Sequence, residues 1–194
     1  MRFTWPILVA SIVFIAVGCV QRSEQPKDNG APASRPTPTN SDARDASRIV
    51  TEHGIGRLRA GMTIVEGNRV IPGLLALPEG ADTLGCAYLE WHDGPVGVSV
   101  MIEDGRIARI DVDSATVATA AGARVGDREE RIQNLYAGRV TASRHKYTEG
   151  HYLTVVPADP ADSVFRIIFE AENGRVVRYR AGRRPSVEYV ERCG

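Results

Sequence analysis

Ile102-Glu103-Asp104-Gly105-Arg106-Ile107-Ala108-Arg109 and, further along, Ala171-Glu172-Asn173-Gly174-Arg175-Val176-Val177-Arg178 read as two versions of one hairpin. In each, a strand runs into Asp-Gly or Asn-Gly and an arginine opens the returning strand. Such dipeptides favour the primed two-residue turn, because both central residues must take positive φ, which Gly, Asn and Asp tolerate. The flanks alternate as half-buried strands should. Val96, Val98, Val100 and Ile102 share one face before the first turn, and Arg106 to Val112 returns; Phe165, Ile167 and Phe169 precede the second, and Val176 to Ala181 returns.

Working outward, the repetition continues upstream. Arg59-Ala60-Gly61-Met62-Thr63 is echoed by Arg124-Val125-Gly126-Asp127-Arg128; Gly73 and Gly138 keep the same spacing, and Tyr88-Leu89 and Tyr152-Leu153 nearly do. The slightly longer spacing at the hairpins is absorbed by turn residues around Pro157-Ala158-Asp159-Pro160. A tandem duplication is expected, with halves of about 54–118 and 119–194. In each half a glycine introduces a short helix. The second should run from about Arg128 to Tyr136, with Asp127 as cap, Glu130 completing a capping box, Ile132, Leu135 and Tyr136 on one apolar face and Gly138 as the stop. The first, about Ile64 to Ile71 behind Thr63 and Glu66, is weakened by Gly67 at a cost of about 1 kcal/mol relative to Ala and is ended by Pro72. The expected fold class is α+β: two similar halves, each a short helical segment packed on an antiparallel sheet.

The amino-terminal end carries a different kind of signal. Arg2, an apolar run from Trp5 to Val17 and small residues before Cys19 read as a secretory signal peptide over 1–18. Ala16-Val17-Gly18-Cys19 resembles the lipobox of bacterial lipoproteins, although Ala16 stands where Leu is usual. The resemblance implies that Cys19 becomes the lipidated first residue of the mature chain, and Val20 in place of Asp implies sorting to the outer membrane. An uncleaved anchor and a simple cleavage that leaves Cys19 unmodified are the alternatives. Stable anchoring takes more than one acyl chain, which a triacylated cysteine supplies. From Gln21 to about Ser47 the chain is dense in Pro, Ser, Asn and charge and almost without large apolar residues. It should be a disordered tether of roughly 30 Å mean span, so that 19–48 is linker and 49–194 one periplasmic domain.

With Cys19 assigned to lipid, Cys86 and Cys193 remain, an even pair in an oxidising compartment. A disulfide is expected and would stabilise the fold by roughly 4 to 5 kcal/mol in the chain-entropy account; two free buried thiols are the alternative. The 24 Lys+Arg balance 24 Asp+Glu, which argues against a nucleic-acid partner. Gly-x-Ser-x-Gly, His-Glu-x-x-His and a phosphate-binding glycine loop are all absent from the sequence. His145 to His151 gathers two imidazoles and Glu149 at a spacing that matches no zinc pattern, and Asp111 with Asp113 reads as two carboxylates on one strand face. No enzyme activity, metal or cofactor is expected. Arg175, Arg178, Arg180, Arg183 and Arg184, with Tyr179 between them, form a possible anion-binding surface. Glu170, Glu172, Glu188 and Glu191 are near enough to neutralise it.

Tandem halves, a Gly61-Met62-Thr63 helix start with Glu66 and glycine-turned hairpins behind a lipoprotein signal resemble the superfamily that includes β-lactamase inhibitor protein and the small outer-membrane assembly lipoproteins of the SmpA/OmlA type. The resemblance covers roughly Gly54 to Arg183; Gly126-Asp127-Arg128 departs from it, since Arg128 replaces the capping hydroxyl. It implies a non-enzymatic module that binds another envelope protein, as an assembly factor or an inhibitor. The alternative partner is an anionic envelope ligand, peptidoglycan or lipopolysaccharide, held by the arginine strand.

Overall fold

The structure, a computed structural model, describes residues 48–71, 73–81 and 85–193. The expected signal peptide, Cys19 and the tether up to residue 47 lie outside the described residues. Three short strands open the described part, β1 (Ile49–Thr51), β2 (Gly54–Ile55) and β3 (Leu58–Arg59), followed by α1 (Ile64–Asn68). Then come β4 (Leu74–Ala76), β5 (Cys86–His92), β6 (Val98–Glu103), β7 (Arg106–Val112) and β8 (Ala118–Thr119). The rest consists of α2 (Glu129–Leu135), β9 (Val140–Arg144), β10 (His151–Val155), β11 (Phe165–Glu172) and β12 (Arg175–Arg183), with 3-10 turns at Pro160–Asp162 and Ser186–Glu188. The fold is α+β, but strand dominates and both helices are short.

Strands β4 to β7 and β9 to β12 are two antiparallel meanders, joined side by side where β7 pairs with β12 in the order β4-β5-β6-β7-β12-β11-β10-β9. Both hairpin turns take the conformation expected from sequence: Asp104 and Gly105 have φ of 52° and 71°, Asn173 and Gly174 of 50° and 73°. Each is followed by a bulge at the matching place in the returning strand. Met101 pairs with Arg109 but Ile102 with Ile107, leaving Ala108 unpaired; Glu170 pairs with Arg178 but Ala171 with Val176, leaving Val177 unpaired. The link from helix start to hairpin also recurs. Arg106 donates to the carbonyl of Gly61 at 2.8 Å and Arg175 to that of Gly126 at 2.9 Å.

The two helix starts differ. Thr63 and Glu66 form a reciprocal capping box, with the Thr63 hydroxyl accepting from the Glu66 amide and the Glu66 carboxylate accepting from the Thr63 amide at 2.8 Å. The cap expected of Asp127 does not form. The helix starts one residue later, Arg128 is the N-cap with no side-chain bond, and Asp127 instead accepts from the Arg124 amide and pairs with Arg131. Val96 also leaves its expected face, because the chain turns at 95–97 and exposes it; β6 begins at Val98.

A second sheet, in the order β3-β2-β1-β8 with β1 and β8 parallel, was not foreseen from the sequence. It packs with both helices over one face of the large sheet. Val50, Ile55 and Leu58 from the small sheet join Ile132 and Tyr136 from the α2 segment, Val100, Ile110 and Leu153 from the large sheet, and Phe169, whose ring lies 5.3 Å from that of Tyr179. This is the core. Its polar atoms are paired: the Tyr136 hydroxyl donates to Thr119 and the Tyr179 hydroxyl to the carbonyl of Val117.

Candidate functional site

The opposite face of the large sheet is polar at its centre. The bulges turn it so. An unbroken strand would put Ile107, Arg109 and Asp111 on one face, but the extra residue Ala108 sends Ile107 into the core and Arg109 to the other side. Val177 does the same for Val176 and Arg178. Cross-strand partners then gather Tyr88, Met101, Arg109, Asp111, Ile168, Glu170, Arg178 and Arg180 on one surface.

That surface holds a segment of the chain itself. After β12, residues 184–193 run back over the sheet as a strap, and the Ser186–Glu188 turn lies against β7, β11 and β12. Arg109 is only 1% exposed. It donates to the carbonyls of Ser186 at 3.0 Å and Tyr189 at 2.7 Å, and is held from beneath by Asp111 and by the Tyr88 hydroxyl, each at 2.9 Å. Arg180 donates to the carbonyl of Val187 at 2.6 Å and is paired with Glu170. Val187 is fully buried, and the Ser186 hydroxyl donates to Glu103. Farther along, Glu191 meets Lys146 at 3.0 Å and the Tyr147 hydroxyl, and Arg192 lies over the Tyr88 ring. Cys193 closes the strap onto β5 through a disulfide to Cys86, with 5.4 Å between the Cα atoms, within the usual range for such a bond.

The electrostatics follow from burial. Two arginines and two carboxylates balance one another under the strap, which is how buried charge is tolerated. Burial opposes the charged form of Arg109, but Asp111 and Tyr88 outweigh it and the guanidinium is held above its ordinary value. Burial, with the Asp111 charge beside it, pushes the Tyr88 hydroxyl up to about 12. Arg180 is shifted down by burial, with Glu170 opposing.

The five arginines read as a possible anion surface do not form one, and the carboxylates Glu170 and Glu188, read from the sequence as near enough to neutralise them, pair with three of the five. Arg180 is buried on Glu170 and the strap, Arg175 binds the Gly126 carbonyl, Arg178 pairs with Glu170 and Arg184 with Glu188. Arg183 is exposed. Asp111 and Asp113 are not a pair: β7 ends at Val112, Asp111 is committed to Arg109 and Asp113 is exposed. The segment 145–151 does not fold its imidazoles together. His145 stacks on Tyr152 and faces Glu170 at 3.5 Å, while His151 pairs with Glu129. Among the described residues no three potential metal ligands come together, and no helix is long and apolar enough to cross a membrane. Arg109 and Glu103, both central to the strap, were not singled out from the sequence; only the register across β6, β7 and β12 reveals them.

The chain is thus an α+β protein, mostly β, whose eight-stranded sheet carries its core on one face and grips its own carboxyl-proximal segment on the other. No family model matches the chain, and no curated protein sequence matches it. Among solved structures it is similar to the crystal structure of the uncharacterized protein yfeY from Escherichia coli, with a TM-score of 0.44 and 15% sequence identity over 70% of this chain and 99% of that chain.

Proposed function

We propose that this protein is a lipid-anchored lipoprotein of the bacterial outer membrane whose periplasmic α+β domain, built from two duplicated halves, is a non-enzymatic binding module for another envelope protein. Duplication is supported by the matching bulges at Ala108 and Val177 and the matching arginine-to-glycine bonds of Arg106 and Arg175. The resemblance to the β-lactamase inhibitor protein and SmpA/OmlA superfamily belongs to the same reading. The observation that carries the binding role is the sheet face that already grips a polypeptide by its main-chain carbonyls. The anionic-ligand alternative loses support, because Arg180, at the centre of its cluster, is committed inside the protein.

A photo-crosslinking residue at Thr154, on the strapped side of β10, should capture a reproducible envelope protein in intact cells, whereas the same probe at Asn134 on the exposed side of α2 should not. Equal capture at both positions, or none at Thr154, would overturn the reading. Anchoring is tested separately. Cys19→Ala should release the protein from the membrane fraction, and retention there would remove lipidation from the account.

A further inference from the structure

We propose that the sheet face beneath the strap is a peptide-binding cradle, that Ser186 to Tyr189 fill it in cis, and that the Cys86–Cys193 disulfide is the latch that decides whether a segment of another protein takes their place. The proposal deepens the binding-module reading and rests on it. Three of the cradle's bonds go to main-chain carbonyls, those of Ser186, Val187 and Tyr189. Contacts of this kind follow the path of a segment and are blind to its sequence. Selectivity comes from two side chains, Val187 fully buried and Ser186 donating to Glu103. The ligand class is therefore a turn of a partner protein that carries a small hydroxyl residue followed by a β-branched apolar one.

The cradle is preorganised. Arg109 is fixed by Asp111 and Tyr88, and Arg180 by Glu170, all on the sheet and none on the strap. Their free donors stay aimed when the strap leaves, which lowers the ordering cost of binding a replacement. Beyond Tyr189 the strap is held by exposed contacts of Glu191 and Arg192, and exposed ion pairs contribute little. The covalent bond at Cys193 is the firm hold at that end. A dithiol reductant opens it: the reductant supplies two electrons, the S–S bond breaks, Cys86 and Cys193 each take up a proton as thiols, and the dithiol becomes a disulfide. The strap then remains covalently joined to the domain only through β12, and its contacts with Arg109, Arg180 and Glu103 hold it without a link at its far end.

The probe is a fluorescein-labelled peptide with the sequence of residues 184–192, titrated into the full chain carrying Val187→Asp. That change weakens the tethered occupant, which otherwise competes at high effective concentration, and leaves the cradle intact. The chain reduced with dithiothreitol should bind the probe at least tenfold more tightly than the same chain oxidised, and a probe bearing Val187→Asp should lose that binding. Equal binding in both redox states, or equal binding of the two probes, overturns the proposal. Hydrogen exchange on the unmutated chain is the second measurement, independent of whether the variant folds. Amides of 186–192 should exchange at least tenfold faster after reduction while β6, β7, β11 and β12 keep their protection; an unchanged strap, or a sheet that loosens with it, overturns the latch. An envelope partner captured equally by oxidised and reduced chains overturns the latch alone, whereas probe binding without any captured partner supports the cradle and overturns the module reading.

Discussion

Thr63 and Arg128 occupy the same place before their helices, and only one of them has a side chain that accepts a hydrogen bond there. Thr63→Ala should cost about 1 kcal/mol, and Arg128→Ser should stabilise by a similar or smaller amount, as measured by chemical denaturation. Removing the hydroxyl also changes the behaviour in acid. The Thr63 amide and hydroxyl hold the Glu66 carboxyl below its ordinary value, so its contribution is present above the unfolded carboxylate pKa and is lost as pH falls through the lowered folded one. Tyr88 works in the opposite range. Its hydroxyl is raised to about 12, while an unfolded tyrosine ionises near ~10. Between these values the unfolded chain binds fewer protons than the folded one, so stability should fall as pH rises through that window. Tyr88→Phe should flatten that part of the curve; an unchanged alkaline slope in the variant would show that the Tyr88 hydroxyl is not its source.

The join between β7 and β12 is where the two meanders become one sheet, and Gly182 sits at its end opposite Arg109. A Cβ there would fall on the carbonyl oxygen of Ala108 and within 2.6 Å of the Arg109 Cα. Those are backbone atoms and have nowhere to go, which is the close approach for which a strand glycine is kept. Gly182→Ala should cost at least about 3 kcal/mol, at the severe end for a single substitution. Loss should also show as exposure of the strap to protease, because Arg109 holds it from the same position. The bulges at Ala108 and Val177 are element-level devices of the same kind, each turning a strand by one side chain so that arginine faces the strap and isoleucine or valine the core.

Across the whole domain, the disulfide ties the end of the strap to β5 over a sequence separation of 107 residues. Losing a native disulfide from a small secreted domain costs about 2 to 5 kcal/mol, and at about 3 °C per kcal/mol for a domain of this size reduction should lower Tm by roughly 6 to 15 °C. Calorimetry of oxidised and reduced protein checks this; superimposable melting curves would mean that the bond adds no stability. The domain should remain folded when reduced, since the principal core is on the other side of the sheet from the strap.

The hairpins, the first capping box and the cysteine pairing were all legible in the sequence for a local or countable reason. Asp104-Gly105 and Asn173-Gly174 dictate their turns because few residues accept positive φ, Thr63 and Glu66 close a box across a single helical turn, and the two cysteines besides Cys19 have one way to pair with each other. The helix start at Arg128, the small mixed sheet, the burial of Arg180 and the strap were decided only by tertiary structure. Asp127 was drawn from the cap by Arg124 and Arg131, and the two-residue strands of the small sheet carry too little periodicity to announce themselves. Glu170 reads from the sequence as a partner within reach of the basic run, but that Arg180 is the arginine buried on it beneath the strap, and that Arg109 belongs to the site because one unpaired residue turns its strand, follow only from the pairing of distant strands. Which face a side chain takes past a bulge, and what covers it there, depends on pairings between distant strands, and no window of neighbouring residues contains that information.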